Sequence, residues 1–210
     1  MKQDKFLTVF AVFDSMAQRK LKILQDEVIS LGYLGTQTMD IPFHISLGSF
    51  KVEYEQELKA KIKEVCSQKY EFEINLNKVN HFENRVLFIE PEDNPLLKEL
   101  HSLFDGNFAD GFSWHAHTTI FCGKEEQIID AKERLNNIFQ PIRAKITGIQ
   151  MGEFFPTKMI IAENFVSNFC FCHKINFNLV QRGVQTPLLS AKGYPAEHIG
   201  RLGFYMFGGK

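Results

Sequence analysis

Two periods of apolar and polar positions run along the chain, and the switches between them predict its elements. Phe6 to Phe13 is a continuous apolar run, suited to a strand buried on both faces. Leu21, Leu24, Val28 and Leu31 then repeat at helical spacing, with Ser15-Met-Ala-Gln18 as a capping box and Gly32 as the stop. A strand over about 41–50 precedes a second amphipathic helix marked by Tyr54, Leu58, Ile62 and Val65, whose wet side carries Glu55/Lys59 and Glu57/Lys61. Phe72, Ile74 and Leu76 alternate with polar residues as a half-exposed strand, and Val86 to Ile89 form a buried one. Asn94-Pro95 opens a third helix as cap and first position, and Gly106 closes it. Beyond it lie a strand over about 114–122, a helix over about 125–139 that stops at Pro141, and two strands over about 142–153 and 158–163.

Two of these strands carry chemistry. In Ile41-Pro-Phe-His-Ile-Ser-Leu47, His44 and Ser46 share one face, opposite Phe43, Ile45 and Leu47. In Phe112 to Phe121 the polar face holds His115, His117 and Thr119, opposite Trp114, Ala116, Thr118 and Ile120. Both strands therefore read His-x-(Ser/Thr)-aliphatic. Phe82 and Phe155 each lie 38 residues after a motif histidine, and Arg85 and Lys158 each lie 41 after, opening an aliphatic strand. The order strand, helix, His strand, helix, strand is thus given twice, with one strand added. Residues of about 1–83 and 84–165 form two like units, which predicts a pseudo-twofold arrangement that brings the His strands together. Ile74 and Ile146 slip by one in this alignment, and Gly148 is placed as a bulge that absorbs the slip. Residues 166–210 lack periodicity and are read as an appended tail.

Composition narrows the function. With 210 residues the chain can bury a sizeable core, and the 21 Phe fall mostly in short apolar runs that suit it. A net charge of -1 argues against a long nucleic-acid groove, though it leaves room for one terminal phosphate. The Phe6–Phe13 run is too short for a membrane span, so a cytoplasmic protein without membrane contact, and a monomer, is expected. The four Cys, at 66, 122, 170 and 172, include no CxxC, which fits free thiols. Cys170-Phe-Cys172-His173 has no second pair at zinc spacing, and no metal or other cofactor is expected.

Cleaving or opening a cyclic phosphodiester needs one proton taken from the attacking oxygen and one delivered to the leaving oxygen. Two imidazoles can divide that work near neutral pH. His44 and His117 are the candidate catalytic pair. Ser46 and Thr119 are placed to donate to the non-bridging oxygens, and His115 to line the pocket. Phe155 and Lys158 are candidates for stacking on a base and meeting phosphate, with Phe82 and Arg85 as their counterparts.

His44-Ile-Ser-Leu47 and His117-Thr-Thr-Ile120 resemble the paired signature motifs of the 2H phosphoesterase superfamily, the LigT-like or 2′-5′ RNA ligase proteins. The resemblance covers about residues 1–165. It implies a two-lobed α+β fold of mainly antiparallel sheet with outer helices and a central groove. It also implies metal-independent hydrolysis of 2′,3′-cyclic or 2′-5′ phosphodiesters of RNA ends or small nucleotides, with His44 as acid and His117 as base, roles that the direction of reaction could exchange. Two other readings compete. One is a nucleotide- or RNA-binding module that keeps the groove without the chemistry. The other is a metallohydrolase built on His115, His117 and Asp110.

Overall fold

The computed structural model describes residues 5–36, 41–105 and 113–167. The chain divides into Met1–Cys172 and His173–Lys210, and every described residue belongs to the first. Gly106, and the tail from residue 168 on with its Cys170-x-Cys172-His173 run, lie outside the described residues.

The elements are β1 (Phe6–Phe13), α1 (Ser15–Ile29), β2 (His44–Lys51), α2 (Glu55–Gln68), β3 (Phe72–Phe82), β4 (Val86–Pro91), α3 (Pro95–Leu103), β5 (Thr118–Cys122), α4 (Glu125–Ile138), β6 (Ile142–Phe154) and β7 (Lys158–Asn164). All strand pairs are antiparallel, in one sheet ordered β2-β1-β6-β3-β4-β5, with β7 on the other edge of β6 from β1. The four helices and the mainly antiparallel sheet give the expected α+β fold.

The pairing reveals how the two halves interlock. The first strand of each half, β1 or β4, pairs with its own His strand, β2 or β5. Its other neighbour is the third strand of the opposite half: β1 pairs with β6 and β4 with β3. The axis of this exchange lies where β3 meets β6, from Phe72↔Ile146 to Leu76↔Ile142. Two helix caps are tied to that junction. Asp14 caps α1 through Met16 N and Ala17 N and also accepts from Lys145 N at 2.6 Å. Asn94 caps α3 through Leu97 N and donates to Glu73 O at 3.0 Å. Lys145 and Glu73 are partners in the β3–β6 register, so both helices start from one point of the sheet. The expected capping box at Ser15 is therefore corrected: a carboxylate one residue earlier satisfies the free amides.

Alternation along β1 explains why the strand is buried from Leu7 to Phe13. Leu7, Val9, Ala11 and Phe13 join the core shared with Leu21, Leu24, Ile62, Leu100 and Leu135 of the helices. Phe10, equally buried, faces the other way and lies against the His44 ring at 4.3 Å between centroids. In β4, Leu87 and Ile89 enter the core while Phe88 faces His117 at 5.1 Å. Each half thus has a helix-covered face and a second face bearing one Phe and one motif His.

Register corrects the repeat alignment. Phe10 sits between Ser46 and Gln150, and Phe88 between Thr119 and Asn80. Likewise Thr8 sits between Ser49 and Gly152, and Val86 between Cys122 and Phe82. The structural counterpart of Phe82 is Gly152, not Phe155. The predicted bulge beside Gly148 is present: Val12 pairs with Gly148 and Phe13 with Ile146, leaving Thr147 extra. It does not explain a slip between halves, because β3 has the matching bulge at Asn77, between Leu76↔Pro91 and Lys78↔Glu90. Gly148 has a different cause. A Cβ there would lie 2.2 Å from the Glu163 carbonyl oxygen of β7.

Candidate functional site

The fourth residue of each motif is a β-bulge. Val9 pairs with Gly48 but Phe10 with Ser46, so Leu47 is extra in β2. Leu87 pairs with Phe121 but Phe88 with Thr119, so Ile120 is extra in β5. A bulge puts two successive residues against one and bends the strand. It also resets the alternation, so residues 44, 46 and 49 face one way, as do 117, 119 and 122. His44, Ser46, Ser49, Thr119 and Cys122 line one groove of about 760 Å³, while Leu47, Ile120 and Phe121 are buried in the core. That volume lies within the roughly 300–1,000 Å³ usual for small-molecule sites.

The two motif histidines are held alike. His44 Nδ1 lies 2.8 Å from Pro42 O, and His117 Nδ1 lies 2.7 Å from His115 O. A carbonyl oxygen can only accept, so Nδ1 carries the hydrogen in both rings and Nε2 is the atom left to exchange a proton. Burial lowers the pKa of His44 to about 4 from 6.5, against the bond to Pro42, with the charge of His117 as a further lowering cause. Burial lowers His117 as well, while its bond to His115 O and the Glu90 carboxylate oppose that shift. A charged His117 thus adds to the lowering of His44, while the groove is lined by His44 and not by His117.

Their flanks differ. Glu90 accepts from Asn80 Nδ2 at 2.8 Å, His115 Nε2 at 2.9 Å and Lys78 Nζ at 3.1 Å. Burial pushes the Glu90 carboxyl up, but these donors outweigh it and hold the pKa below the ordinary value. In the first half, Val12 takes the place Glu90 has in the second: Val12 pairs with Gly148 of the third strand and Glu90 with Lys78.

His44, Ser46, Thr119 and Phe155 line the groove, whereas its lining does not include His117, His115 or Lys158, the last exposed at the start of β7. His115 and His117 stand just before β5 rather than inside it, since the ladder begins at Thr118. They nevertheless point to one side, because both meet the edge of Phe82, at 5.3 and 4.9 Å. Phe82 therefore packs against the second-motif histidines, and it lies outside the groove lining that holds Phe155. Arg85 lies outside the groove. Phe155, with positive φ and 45 % exposed, ends a cluster with Phe6 and the stacked Phe6–Phe154 pair at the first-half end of the groove. Sequence reading missed Phe6, Thr8 and Ser49 in the lining, along with Arg19 and Lys22 of α1, because it followed only motif positions. Asp110, needed by the metallohydrolase reading, lies outside the described residues. Among those residues no three His, Cys, Asp or Glu group to hold a metal, and no helix is long and apolar enough to cross a membrane.

The fold is that of the LigT-like proteins. TT0787 of Thermus thermophilus matches over 78% of this chain and 99% of its own, at 12% identity and TM-score 0.52. A crystal structure described as a phosphoesterase matches 77% of this chain and 99% of its own, at 14% identity and TM-score 0.50. Escherichia coli LigT complexed with 3′-AMP matches over 78% and 99%, at 12% identity and TM-score 0.50. No curated protein sequence matches the chain. The family model of the 2′-5′ RNA ligase superfamily matches residues 29–154, which hold both motifs and more than half of the chain. The protein belongs to this family, and so to the 2H phosphoesterases.

Proposed function

We propose that this protein is a phosphodiesterase that hydrolyses 2′,3′-cyclic or 2′-5′ phosphodiesters of RNA ends or small nucleotides with two histidines as acid and base. The reading rests above all on the matched pair His44 and His117. Both rings spend Nδ1–H on a carbonyl two residues back, which presents Nε2 of each to chemistry. Water attacks phosphorus as His44 Nε2 takes its proton. The bond to the ribose oxygen breaks as His117 Nε2 delivers a proton to that oxygen. The product is a phosphomonoester, and solvent exchange restores both rings.

Electrostatics supports this direction of transfer. His44, pushed down to about 4, is neutral near pH 7, while His117, lowered too by burial, has the Glu90 carboxylate to favour its proton. The resemblance gave the two roles in the opposite order. An anionic phosphate entering the groove raises both pKa values by opposite-charge attraction, which charges the acid only when substrate is bound. Ser46 and Thr119 supply hydroxyl donors for the non-bridging oxygens as charge develops there. Phe155 and its neighbours offer a face for the base. LigT from E. coli, of the same fold, is described with 3′-AMP bound, a ligand of the class proposed here.

The test is a turnover screen on 2′,3′-cyclic nucleotides, 2′-5′ dinucleotides and RNA with cyclic ends, with and without chelator. Turnover that survives chelator and is lost in His44→Ala and in His117→Ala supports the assignment. Measurable nucleotide affinity with no turnover on any substrate would make the protein a binding module instead. Loss on chelation, restored by added metal, would favour the metallohydrolase.

A further inference from the structure

The two bulges that aim the motif residues are each held from the opposite half of the molecule. At the β2 bulge, His101 of α3 has Nδ1 2.7 Å from the Leu47 carbonyl oxygen. At the β5 bulge, Gln25 of α1 donates Nε2 to the Ile120 carbonyl oxygen at 3.0 Å. These are the same position of the two motifs, held by the first helix of the other half in each case. Gln25 is one of three buried polar or charged residues among the described residues, and it turns its amide nitrogen to this carbonyl. The His101 ring is fixed in turn by parallel stacking on Trp114, at 4.0 Å and 6°. Trp114 itself, three residues before His117, donates Nε1 to Ser46 O at 2.8 Å. Two successive carbonyls of the first motif are thus bonded to side chains of the second half.

The arrangement has a physical reason. β2 and β5 are the strands at either end of the main strand order and carry the motifs, yet an end strand has one row of backbone groups with no ladder partner. A bulge frees another carbonyl from the ladder, and a buried carbonyl must find a donor elsewhere. Donors arriving from the opposite half satisfy both carbonyls and at the same time tie β2 to β5, which are in contact.

We propose that Gln25 and His101 are positioning residues of the histidine pair: each locks the motif bulge of the other half and thereby sets the separation and aim of His117 and His44. This rests on the phosphodiesterase reading for its kinetic consequence, but its structural consequence does not need turnover. The cross-over of partners makes a distinctive prediction. Losing the His101 donor should disturb His44, in the half where His101 does not reside, and losing the Gln25 donor should disturb His117.

The experiment uses the full chain and three variants. His101→Phe keeps a flat ring against Trp114 and removes the donor. His101→Asn drops the ring and keeps a donor nitrogen where Nδ1 stands. Gln25→Met keeps the shape and removes the donor. On a 2′,3′-cyclic nucleotide, His101→Phe is expected to lower kcat by about 10²-fold with KM little changed, as misplacement of a reacting group does. His101→Asn should restore most of that loss. In parallel, ring-proton NMR should show His44 shifted in His101→Phe and His117 shifted in Gln25→Met. Wild-type kcat and unshifted His44 signals in folded His101→Phe would overturn the proposal. A loss in His101→Asn with wild-type behaviour in His101→Phe would also overturn it, by assigning the effect to stacking on Trp114. Should Gln25→Met not fold, the His101 pair decides alone. If the wild type turns over none of the substrates, the function reading fails, and the ring shifts still decide whether the bulges are locked.

Discussion

The two halves of this protein hold their histidines by the same means and then treat them differently. Each His anchors Nδ1 on the carbonyl two residues before it, and each faces a buried Phe from the first strand of its half. Each motif ends in a bulge. The differences lie one position away. Val12 occupies in the first half the place that Glu90 takes in the second, where it gathers Asn80, Lys78 and His115. β7 covers the edge of β6 at Gly148, while the matching residue in β3, Lys78, is exposed. A symmetric frame holds the two imidazoles alike, and local asymmetry tells them apart. An acid–base pair needs both, because two identical groups would compete for one proton.

The most severe way to break the comparison is to delete one member of the pair. His44→Ala and His117→Ala should each lower kcat/KM by about 10²–10⁴-fold in a cyclic-phosphate assay. A large loss in one variant alone would mean that the halves are not partners. At the first-half end of the groove, which has no aromatic counterpart at Gly152, Phe155→Ala should weaken substrate binding by roughly 1–3 kcal/mol, read as KM. The edge difference predicts opposite outcomes at matched positions. Gly148→Ala should cost about 1–3 kcal/mol by forcing β7 away, whereas Lys78→Ala should stay within about 0.5 kcal/mol, both by thermal or denaturant unfolding.

Two smaller effects sharpen the electrostatic contrast. The pH profile of kcat/KM should be a bell on the acid side of neutrality, rising as His44 loses its proton near 4 and falling as His117 loses its own below 6.5. Glu90→Gln removes a negative charge beside His117, so its pKa falls further and the alkaline limb moves to lower pH. The acid limb should stay in place. Stability follows the same sign. With its folded pKa below the unfolded value, His44 binds fewer protons when folded, so stability is full above about 6.5 and declines as pH falls towards 4. His44→Gln should flatten that part of the unfolding curve.

Much of this was legible in the residues. The apolar run of β1 announced a strand covered on both faces, and periodicity located the four helices among the described residues. The spacing of His44-x-Ser46 and His117-x-Thr119 marked two matched motifs, each of which ends in a bulge. Other features were not legible, for definite reasons. A strict two-residue alternation cannot show the bulges at Leu47 and Ile120, since an extra residue is defined only against a partner strand. The same limit misaligned Phe82 with Phe155, because counting along the chain ignores what loops and bulges absorb.

Sequence alone determined the local chemistry: which side chains titrate, which strands carry them, and which residues drive burial. Those properties depend on near neighbours in the chain, where period and propensity act. Tertiary structure decided the rest. It exchanged third strands between halves, set Glu90 beside one histidine and Val12 beside the other, and sent Gln25 and His101 across to the opposite bulges. Such contacts join residues far apart in sequence, and their selection comes from packing and from the need to satisfy every buried carbonyl.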